Sequence, residues 1–318
     1  MKKTTSTRTA FATVWCAVLA AGVLLLAGTG DQFSDWSDPI NLGPTINTPS
    51  FDVGASISRD GLSLYFGSAG HGGFGGLDIF VVRRATHEAP WGPPQNLGSN
   101  VNTSFNDQAP SLSVDGHRLY FQSDRPGGFG GSDLYVSRRY NTRTDVAWQH
   151  AENLGALVNS SSNDAAPAAP FEDEGTGETT LYFTSDRPGG FGGDDIYMSR
   201  LQPDEIFGQA ELVEALSSPF QDRQPGIRRD GLEIFLTSSR PPTFGLTDIW
   251  VATRPSNAQP WSAPANLGPT VNSAGNDGRP ALSFMGTELY FQSTGRGGFG
   301  GQDLYVTTRE KLKNPNED

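Results

Sequence analysis

Five aspartates recur at equivalent places in the chain, each at the end of a short polar segment. The segments read NTPSFD, NTSFND, NSSSND, SSPFQD and NSAGND, and they end at Asp52, Asp107, Asp164, Asp222 and Asp277. Carboxylates can hold a cation, bind an amine or guanidinium group of a partner, or act as acid and base in hydrolysis. An aspartate before a strand also hydrogen-bonds nearby backbone in turns, so a structural role is the alternative for all five.

Arginine occurs at a second repeated place, within SDR or SSR, as Arg125, Arg187 and Arg240. The planar guanidinium group can hold a carboxylate through two hydrogen bonds, so these residues are candidate clamps for the aspartates. The first copy lacks this arginine and carries His71 one position later, and the last copy carries Arg296 at that shifted position. We therefore expect few cations near Asp52 and Asp277, and we hypothesise that this sector binds a cation, or the amine or guanidinium group of a partner.

The stretches that carry these residues are copies of one unit. They start at Leu64, Leu119, Leu181, Ile234 and Leu289, which are 55, 62, 53 and 55 residues apart. In the second copy, DQAPSLSV, HRLYFQS, DLYVSRR and WQHAENLG read as four short strands, with a DG turn after the first and a glycine loop after the second. Units of this period stack on one another, and radial stacking of four-stranded units gives a β-propeller.

The order of the strands predicts a closed ring. WSDPINLG, from Trp36, matches the last strand of the unit but precedes the first copy, and the fifth copy ends after its third strand, DLYVTTR. Pairing these two ends removes an open sheet edge. The sequence thus predicts an all-β, five-bladed propeller of four antiparallel strands per blade over residues 31–310, followed by a polar tail at 311–318.

The strand order also predicts where a site lies. In a four-stranded blade, the segment entering the first strand and the glycine loop lie at the same end, so the aspartates and arginines are expected to surround one mouth of the central channel. Each glycine loop contains a phenylalanine that we expect to pack the loop against the blade: Phe74, Phe129, Phe191, Phe244 and Phe299. The insertion FEDEGTGETT in the third copy lies on the opposite face, where it is interpreted as a surface loop or as an acidic docking loop.

The pattern SxDGxxLYFxSDR followed by GGFGGxDLY is clearest from Ser113 to Tyr135. It resembles the TolB-type, WD40-like β-propeller repeats of bacterial envelope proteins, and the resemblance extends from Trp36 to Arg309. It implies a propeller fold and a place in the cell envelope. It does not specify an activity, because propellers serve as scaffolds, binders and enzymes.

The first 30 residues have the pattern of an export signal. Lys2, Lys3 and Arg8 precede an apolar run from Ala10 to Ala27 and then small residues, which is typical of a cleaved signal peptide; an uncleaved membrane anchor is the alternative. These three are the only charged residues of the segment, so the rest of the chain carries 20 basic against 35 acidic side chains. We expect an exported periplasmic or secreted monomer that does not bind nucleic acid.

The residues favour a non-catalytic binding scaffold that uses the aspartate face to hold an envelope protein or a small polar or carbohydrate ligand. The alternative is a glycoside hydrolase or sialidase-like protein, which needs two carboxylates in different surroundings, whereas the five aspartates here occupy equivalent ones. The four histidines are scattered without metal-ligand spacing, and no DxDxDG calcium loop occurs. No metal or cofactor is therefore predicted.

Overall fold

The computed structural model describes residues 32–312, and it is a five-bladed β-propeller, as predicted. One short 3-10 helix, Glu214–Leu216, is the single helical element in this range. The predicted signal segment and the last six residues lie outside the described residues. No helix between residues 32 and 312 is long and apolar enough to cross a membrane.

In blades 1, 2 and 4 the strands follow one another from the channel outwards, and paired strands are antiparallel in every blade. Blade 1 contains β2 (Asp52–Ile57), β3 (Ser63–Ser68), β4 (Asp78–Arg83) and β5 (Gln95–Asn96). Blade 2 contains β6 (Asp107–Leu112), β7 (Arg118–Ser123), β8 (Asp133–Arg138) and β9 (Glu152–Asn153). Blade 3 contains β10 (Asp164–Ala165), β11 (Phe171–Glu172), β12 (Thr179–Ser185), β13 (Asp195–Arg200) and β14 (Glu211–Leu212). Blade 4 contains β15 (Asp222–Ile227), β16 (Glu233–Ser238), β17 (Asp248–Thr253) and β18 (Ala265–Asn266). Blade 5 contains β19 (Asp277–Leu282), β20 (Glu288–Ser293) and β21 (Asp303–Thr308), and its outer strand is β1 (Ile40–Asn41).

The ends of the chain meet in blade 5. Ile40 of β1 pairs with Val306 of β21, so the outer strand of the last blade comes from the start of the described chain. Trp36 lies just before this strand and meets the ring of Phe235 edge-on, with 6.1 Å between the ring centroids. These contacts cover the edge that β21 would otherwise expose to pairing with other chains.

The hydrophobic core lies between the blades because the second strand of each blade alternates its side chains between two neighbours. Leu119 and Phe121 pack towards blade 1, and Tyr120 between them packs towards blade 3 with Leu181 and Phe183. All five side chains are almost fully buried. Period-two alternation in a strand with two covered faces therefore joins each blade to both of its neighbours.

Blade 3 departs from the others in its innermost strand. β10 ends at Ala165, the N–H of Ala168 donates to the carbonyl of Tyr182 at 2.8 Å, and regular pairing returns at β11, where Phe171 lies opposite Thr180. Pro167 has counterparts in the uninterrupted strands of blades 2, 4 and 5, whereas Pro170 is particular to blade 3 and has no N–H to donate to a ladder. The insertion that follows extends this interrupted strand on the face opposite the glycine loops.

Candidate functional site

The five aspartates begin the five innermost strands, and all five side chains are fully buried. In blade 2, one oxygen of Asp107 accepts hydrogen bonds from the backbone N–H and the hydroxyl group of Thr103, at 2.6 and 2.8 Å. Thr48, Ser160 and Ser273 donate in the same way in blades 1, 3 and 5. The carboxylates therefore fix the segment that enters each blade, and they do not line an open channel mouth.

The three predicted arginine clamps are present. Nη2 of Arg125, Arg187 and Arg240 lies 2.5 Å from the carboxylate of Asp107, Asp164 and Asp222, respectively. The same nitrogen also donates to a backbone carbonyl of the entering segment, Val101 in blade 2. Since these arginine side chains are only 10–13% exposed, each pair is a buried ion pair inside its own blade.

Blades 1 and 5 replace the clamp by a residue one position later. His71 Nε2 donates to the carbonyl of Ile46 at 2.9 Å, and Arg296 Nη2 donates to the equivalent carbonyl of Val271 at 2.5 Å. Asp52 has no ion pair within the described chain, and Asp277 has only Arg296, whose Nε lies 3.9 Å away. One oxygen of Asp277 is buried without a hydrogen-bond partner in the part of the chain that is described.

The predicted sector of Asp52 and Asp277 thus carries less positive charge than the other blades. Both carboxylates are nevertheless enclosed, as are the guanidinium groups of the clamps. Direct contact between a partner and the five aspartates would require the entering segments to move, whereas His71 and Arg296 are partly exposed. A binding role for them stays a prediction, and the geometry favours the structural alternative.

A second aspartate in each blade holds the glycine loop. Asp78 and its counterparts begin the third strands, and Asp78 accepts hydrogen bonds from the backbone N–H of Phe74 at 2.6 Å and from the side chain of Asn96 at 2.9 Å. The sequence suggested that the phenylalanine rings pack the loops against the blades. The rings do not do so, because each is about half exposed, at 47–52%. The loop is shaped by its backbone donors, which converge on one buried carboxylate, and the ring is left pointing outwards.

A central cavity with a volume of about 530 Å³ lies between the blades. All five innermost strands line it, and it reaches the turns that join first and second strands, at Arg59, Asp115 and Phe284. The turns and the glycine loops lie at opposite ends of each blade. The accessible space therefore opens on the face opposite the predicted aspartate face, which sequence reasoning missed.

A ring of backbone bulges forms the inner part of this cavity. The residue two positions after each aspartate has a positive φ of 46–57°, and the ring consists of Gly54, Ala109, Ala166, Gln224 and Arg279. In blades 1, 2, 4 and 5 the register of the first two strands shifts at this place. Four of the five residues are not glycine, and non-glycine residues in this conformation are strained and cluster at functional sites.

Side chains of the neighbouring blade stabilise the bulges. The N–H of Gly54 donates to Gln292 Oε1 at 3.1 Å, and the N–H of Ala166 donates to Gln122 Oε1 at 2.9 Å. Hydroxyl groups of Thr184 and Thr237 accept the equivalent N–H groups in blades 4 and 5. The corresponding residue of blade 1 is Gly67, which has no side chain to offer to blade 2, so the inner wall is asymmetric.

Arg279 is the one cation of the bulge ring. Its Nη2 donates to Gln108 Oε1 of blade 2 at 3.2 Å, and its Nη1 lies 3.1 Å from where a Cβ atom at Gly54 would be. The side chain therefore crosses blade 1 over a glycine. Its Nε and Nη1 are buried and have no hydrogen-bond partner within residues 32–312. Burial, with a smaller contribution from Arg223, lowers the pKa of the Arg279 guanidinium to about 10.

The outer part of the cavity carries both charges and an aromatic ring. The guanidinium groups of Arg59 and Arg229 lie 4.5 and 4.6 Å from the ring centroid of Phe284. Glu174, from the insertion of blade 3, lies 3.5 Å from Arg229. The insertion is therefore part of the cavity mouth, a role that neither interpretation of the sequence included.

On the opposite face, Asp194 stands apart from the repeated carboxylates. It precedes β13, its side chain is 25% exposed, and one of its oxygens lies 3.7 Å from Arg223 Nη1. Burial raises the pKa of Asp194 above its ordinary value, while Arg223 opposes the shift. Among residues 32–312, no cluster of histidine, cysteine or carboxylate side chains has the geometry of a metal site.

An alignment of the five copies would have identified Arg279 as a candidate binding residue. The bulge position holds Gly, Ala, Ala, Gln and Arg in order, so a large cation replaces a small or neutral side chain in one blade only. Asp194 is visible in the same way, because the other copies carry Leu77, Ser132, Thr247 and Gln302 there.

The fold places the chain in the class of five-bladed β-propellers, and solved structures resemble it over most of its length. The catalytic domain of a GH62 α-L-arabinofuranosidase from Coprinopsis cinerea matches with a TM-score of 0.59 and 14% identity, covering 86% of this chain and 96% of that one. An α-L-arabinofuranosidase from Lactobacillus brevis matches with a TM-score of 0.56 and 14% identity, covering 82% and 90%.

A TolB from Acinetobacter baumannii is also similar, with a TM-score of 0.46 and 14% identity, covering 85% of this chain and 57% of that one. The comparisons therefore support a β-propeller without singling out the TolB type. No protein-family model and no curated protein sequence matches the chain.

Proposed function

We propose that the protein is a non-catalytic, TolB-like propeller of the bacterial cell envelope that binds a small polar ligand in its central cavity. The observation that carries this proposal is the cavity of about 530 Å³ lined by all five blades, while the aspartate ring is buried. Its volume is within the range of pockets that hold small molecules, roughly 300–1,000 Å³. The envelope assignment rests on the export-like N-terminus and on the repeat motif.

The wall of the cavity suits selective binding. It combines rigid proline-containing strands with a few polar groups, among them Gln224, Arg279 and Arg59. Rigid walls limit the entropy that is lost when a ligand is immobilised, and a few polar groups give orientation. A symmetric ring of identical side chains would have no such directionality.

A cavity-filling variant tests the proposal. Ala169 lines the cavity from the irregular segment of blade 3, so Ala169→Trp fills space without breaking a strand ladder. The matched control is Ala85→Trp, at an exposed position that does not line the cavity. Isothermal titration with glucuronate, succinate, xylose and arabinose should detect a ligand that the control binds normally and Ala169→Trp does not. Equal affinities in both variants would reject the cavity as the site.

A glycoside hydrolase is the second candidate, and Asp194 is the specific observation in its favour. The similar arabinofuranosidases have this fold, and glycoside hydrolysis commonly uses a carboxylic acid whose pKa is raised. The raised pKa of Asp194 meets that single requirement. A second, differently placed carboxylate is also needed, and the five buried aspartates are already hydrogen-bonded within their blades.

Turnover of 4-nitrophenyl α-L-arabinofuranoside and of arabinoxylan separates the two candidates. Hydrolysis that disappears in Asp194→Asn and persists in Asp124→Asn would favour the enzyme. Asp124 is a suitable control because it is exposed, lies in blade 2, and accepts hydrogen bonds from Asn106, whereas the charge of its blade 3 counterpart Asp186 itself contributes to the raised pKa of Asp194. Absence of turnover in the unaltered protein, together with ligand binding in the cavity, would favour the binding propeller.

A further inference from the structure

Arg279 is unlike its four counterparts in the other blades. The equivalent residues, Gly54, Ala109, Ala166 and Gln224, are all uncharged. A neutral residue therefore fits the bulge in every other blade, including a glutamine in the neighbouring blade 4. The fold itself does not require a guanidinium group at this position.

The environment of Arg279 leaves its charge uncompensated. No carboxylate lies within 4.0 Å of its guanidinium group in the described part of the chain, and the one hydrogen bond of that group is to the neutral Gln108. Two of its three guanidinium nitrogens are buried without any acceptor. A buried cation is costly unless it is paired, because it has lost its hydration.

Neighbouring charges add to this cost. Arg223, whose charge contributes to the lowered pKa of Arg279, is itself a cation, and its carboxylate partner Asp194 lies 3.7 Å away from it. At the cavity mouth, Arg229 is paired with Glu174, whereas Arg59 stacks on Phe284. The carboxylates of Asp115, Glu172 and Glu174 also line the mouth, so the charges there are mixed, and the uncompensated positive charge lies deeper in the cavity, at Arg279.

We propose that the cavity binds the carboxylate group of a small acid, and that Arg279 is the residue that recognises it. This inference rests on the proposed function, because it names the ligand class of the same cavity. The guanidinium group of Arg279 is held by a single hydrogen bond, so a turn about its side-chain bonds would bring Nε and Nη1 towards a ligand in the cavity. Charge-assisted hydrogen bonds from these donors would satisfy both atoms and neutralise the charge. One uncompensated guanidinium group matches one carboxylate.

Arg279→Gln is the decisive variant, since Gln224 occupies the same bulge position in blade 4. The matched control is Arg223→Gln, an arginine on the other side of the bulge ring that is also partly unpartnered but does not line the cavity. Isothermal titration of the full chain uses sodium glucuronate and sodium succinate as carboxylates, inorganic phosphate as a second oxyanion, and xylose as a neutral sugar, at constant ionic strength.

The proposal predicts that the carboxylates bind, and that Arg279→Gln weakens their binding by about tenfold or more, whereas Arg223→Gln does not. It also predicts that ligand-free Arg279→Gln melts at the same temperature as the unaltered protein or higher, because an uncompensated buried charge has been removed. A purely structural arginine would lower the melting temperature instead, so a destabilised Arg279→Gln that keeps its carboxylate affinity would overturn the inference.

The outcomes also separate this inference from the proposed function. Binding of xylose in the cavity, lost in Ala169→Trp and unaffected in Arg279→Gln, would leave the binding propeller intact and refute the carboxylate. Binding of phosphate alone would refute the carboxylate while retaining the anion site. No binding of any probe would count against both.

Discussion

The aspartates at the start of the innermost strands should contribute differently to the free energy of unfolding, depending on whether an arginine forms an ion pair with them. We compare Asp107→Asn in blade 2 with Asp52→Asn in blade 1. Both carboxylates are fully buried and accept the backbone N–H and hydroxyl group of a threonine. Asp107 is also 2.5 Å from Arg125 Nη2, whereas Asp52 instead accepts the hydroxyl group of Ser68 at 2.5 Å.

The geometry gives the expected loss in free energy of unfolding for each variant. Replacement of Asp52 by asparagine turns an acceptor into a donor beside neutral donors, and an unsatisfied buried group costs about 1–3 kcal/mol. Replacement of Asp107 leaves Arg125, whose side chain is 10% exposed, without its counter-ion. Loss of one partner from a buried ion pair costs about 3–5 kcal/mol. Asp107→Asn should therefore destabilise the protein by about 2 kcal/mol more than Asp52→Asn.

Urea unfolding followed by tryptophan fluorescence measures the free energy of unfolding of each variant. A further variant, Arg125→Gln, alone and with Asp107→Asn, completes a double-mutant cycle. Because Asp107→Asn has already removed the ion pair, the arginine substitution should cost much less in that background than alone. Equal destabilisation by the two aspartate variants, or additivity in the cycle, would refute the clamp as a stabilising ion pair.

Three further perturbations have defined outcomes. Burial raises the pKa of Asp194, so the stability that its carboxyl group contributes is present at acidic pH and is lost as the pH rises above the ordinary pKa of 3.8. Between pH 4 and pH 7, the free energy of unfolding of Asp194→Asn should therefore rise relative to that of the unaltered protein, and no relative rise would contradict this. Asp145→Asn should lower the free energy of unfolding by about 3–5 kcal/mol, since Asp145 accepts hydrogen bonds from Tyr65 at 2.7 Å and from the buried Arg139 at 3.1 Å; a loss below about 1 kcal/mol would show that the network tolerates an unpaired arginine. A chain without residues 1–42 should associate on size-exclusion chromatography because the edge of β21 is exposed, and a stable monomer would contradict a closing role for β1.

Much of the fold is predictable because it depends on interactions that every copy repeats. The four-strand unit, the five blades and the alternation of Leu119, Tyr120 and Phe121 all follow from period-two patterns that recur in register. The clamps Arg125, Arg187 and Arg240 are predictable for the same reason. A contact made five times leaves the same sequence pattern five times.

The cavity was harder to predict because it depends on a backbone conformation that cannot be inferred from the residue types. Ala109 and Arg279 adopt positive φ values that neither side chain favours. The half-exposed ring of Phe129 shows that a repeated aromatic residue need not be buried. Each of these features arises from tertiary packing around the ring, which no single copy of the unit contains.

The separation between repeated and unrepeated residues has a functional consequence. Hydrogen bonds to the aspartates lie inside each blade, so a substitution there disturbs the blade that carries it. Bulge residues project into space shared by all blades, so Arg279 can reach Gln108 across blade 1 without altering either blade's ladder. A single substitution at a bulge residue modifies the part of the cavity wall that one blade contributes and leaves the strand ladders intact. Selective binding needs such asymmetry, and it is therefore expected at the bulge ring and not at the aspartates that all five blades share.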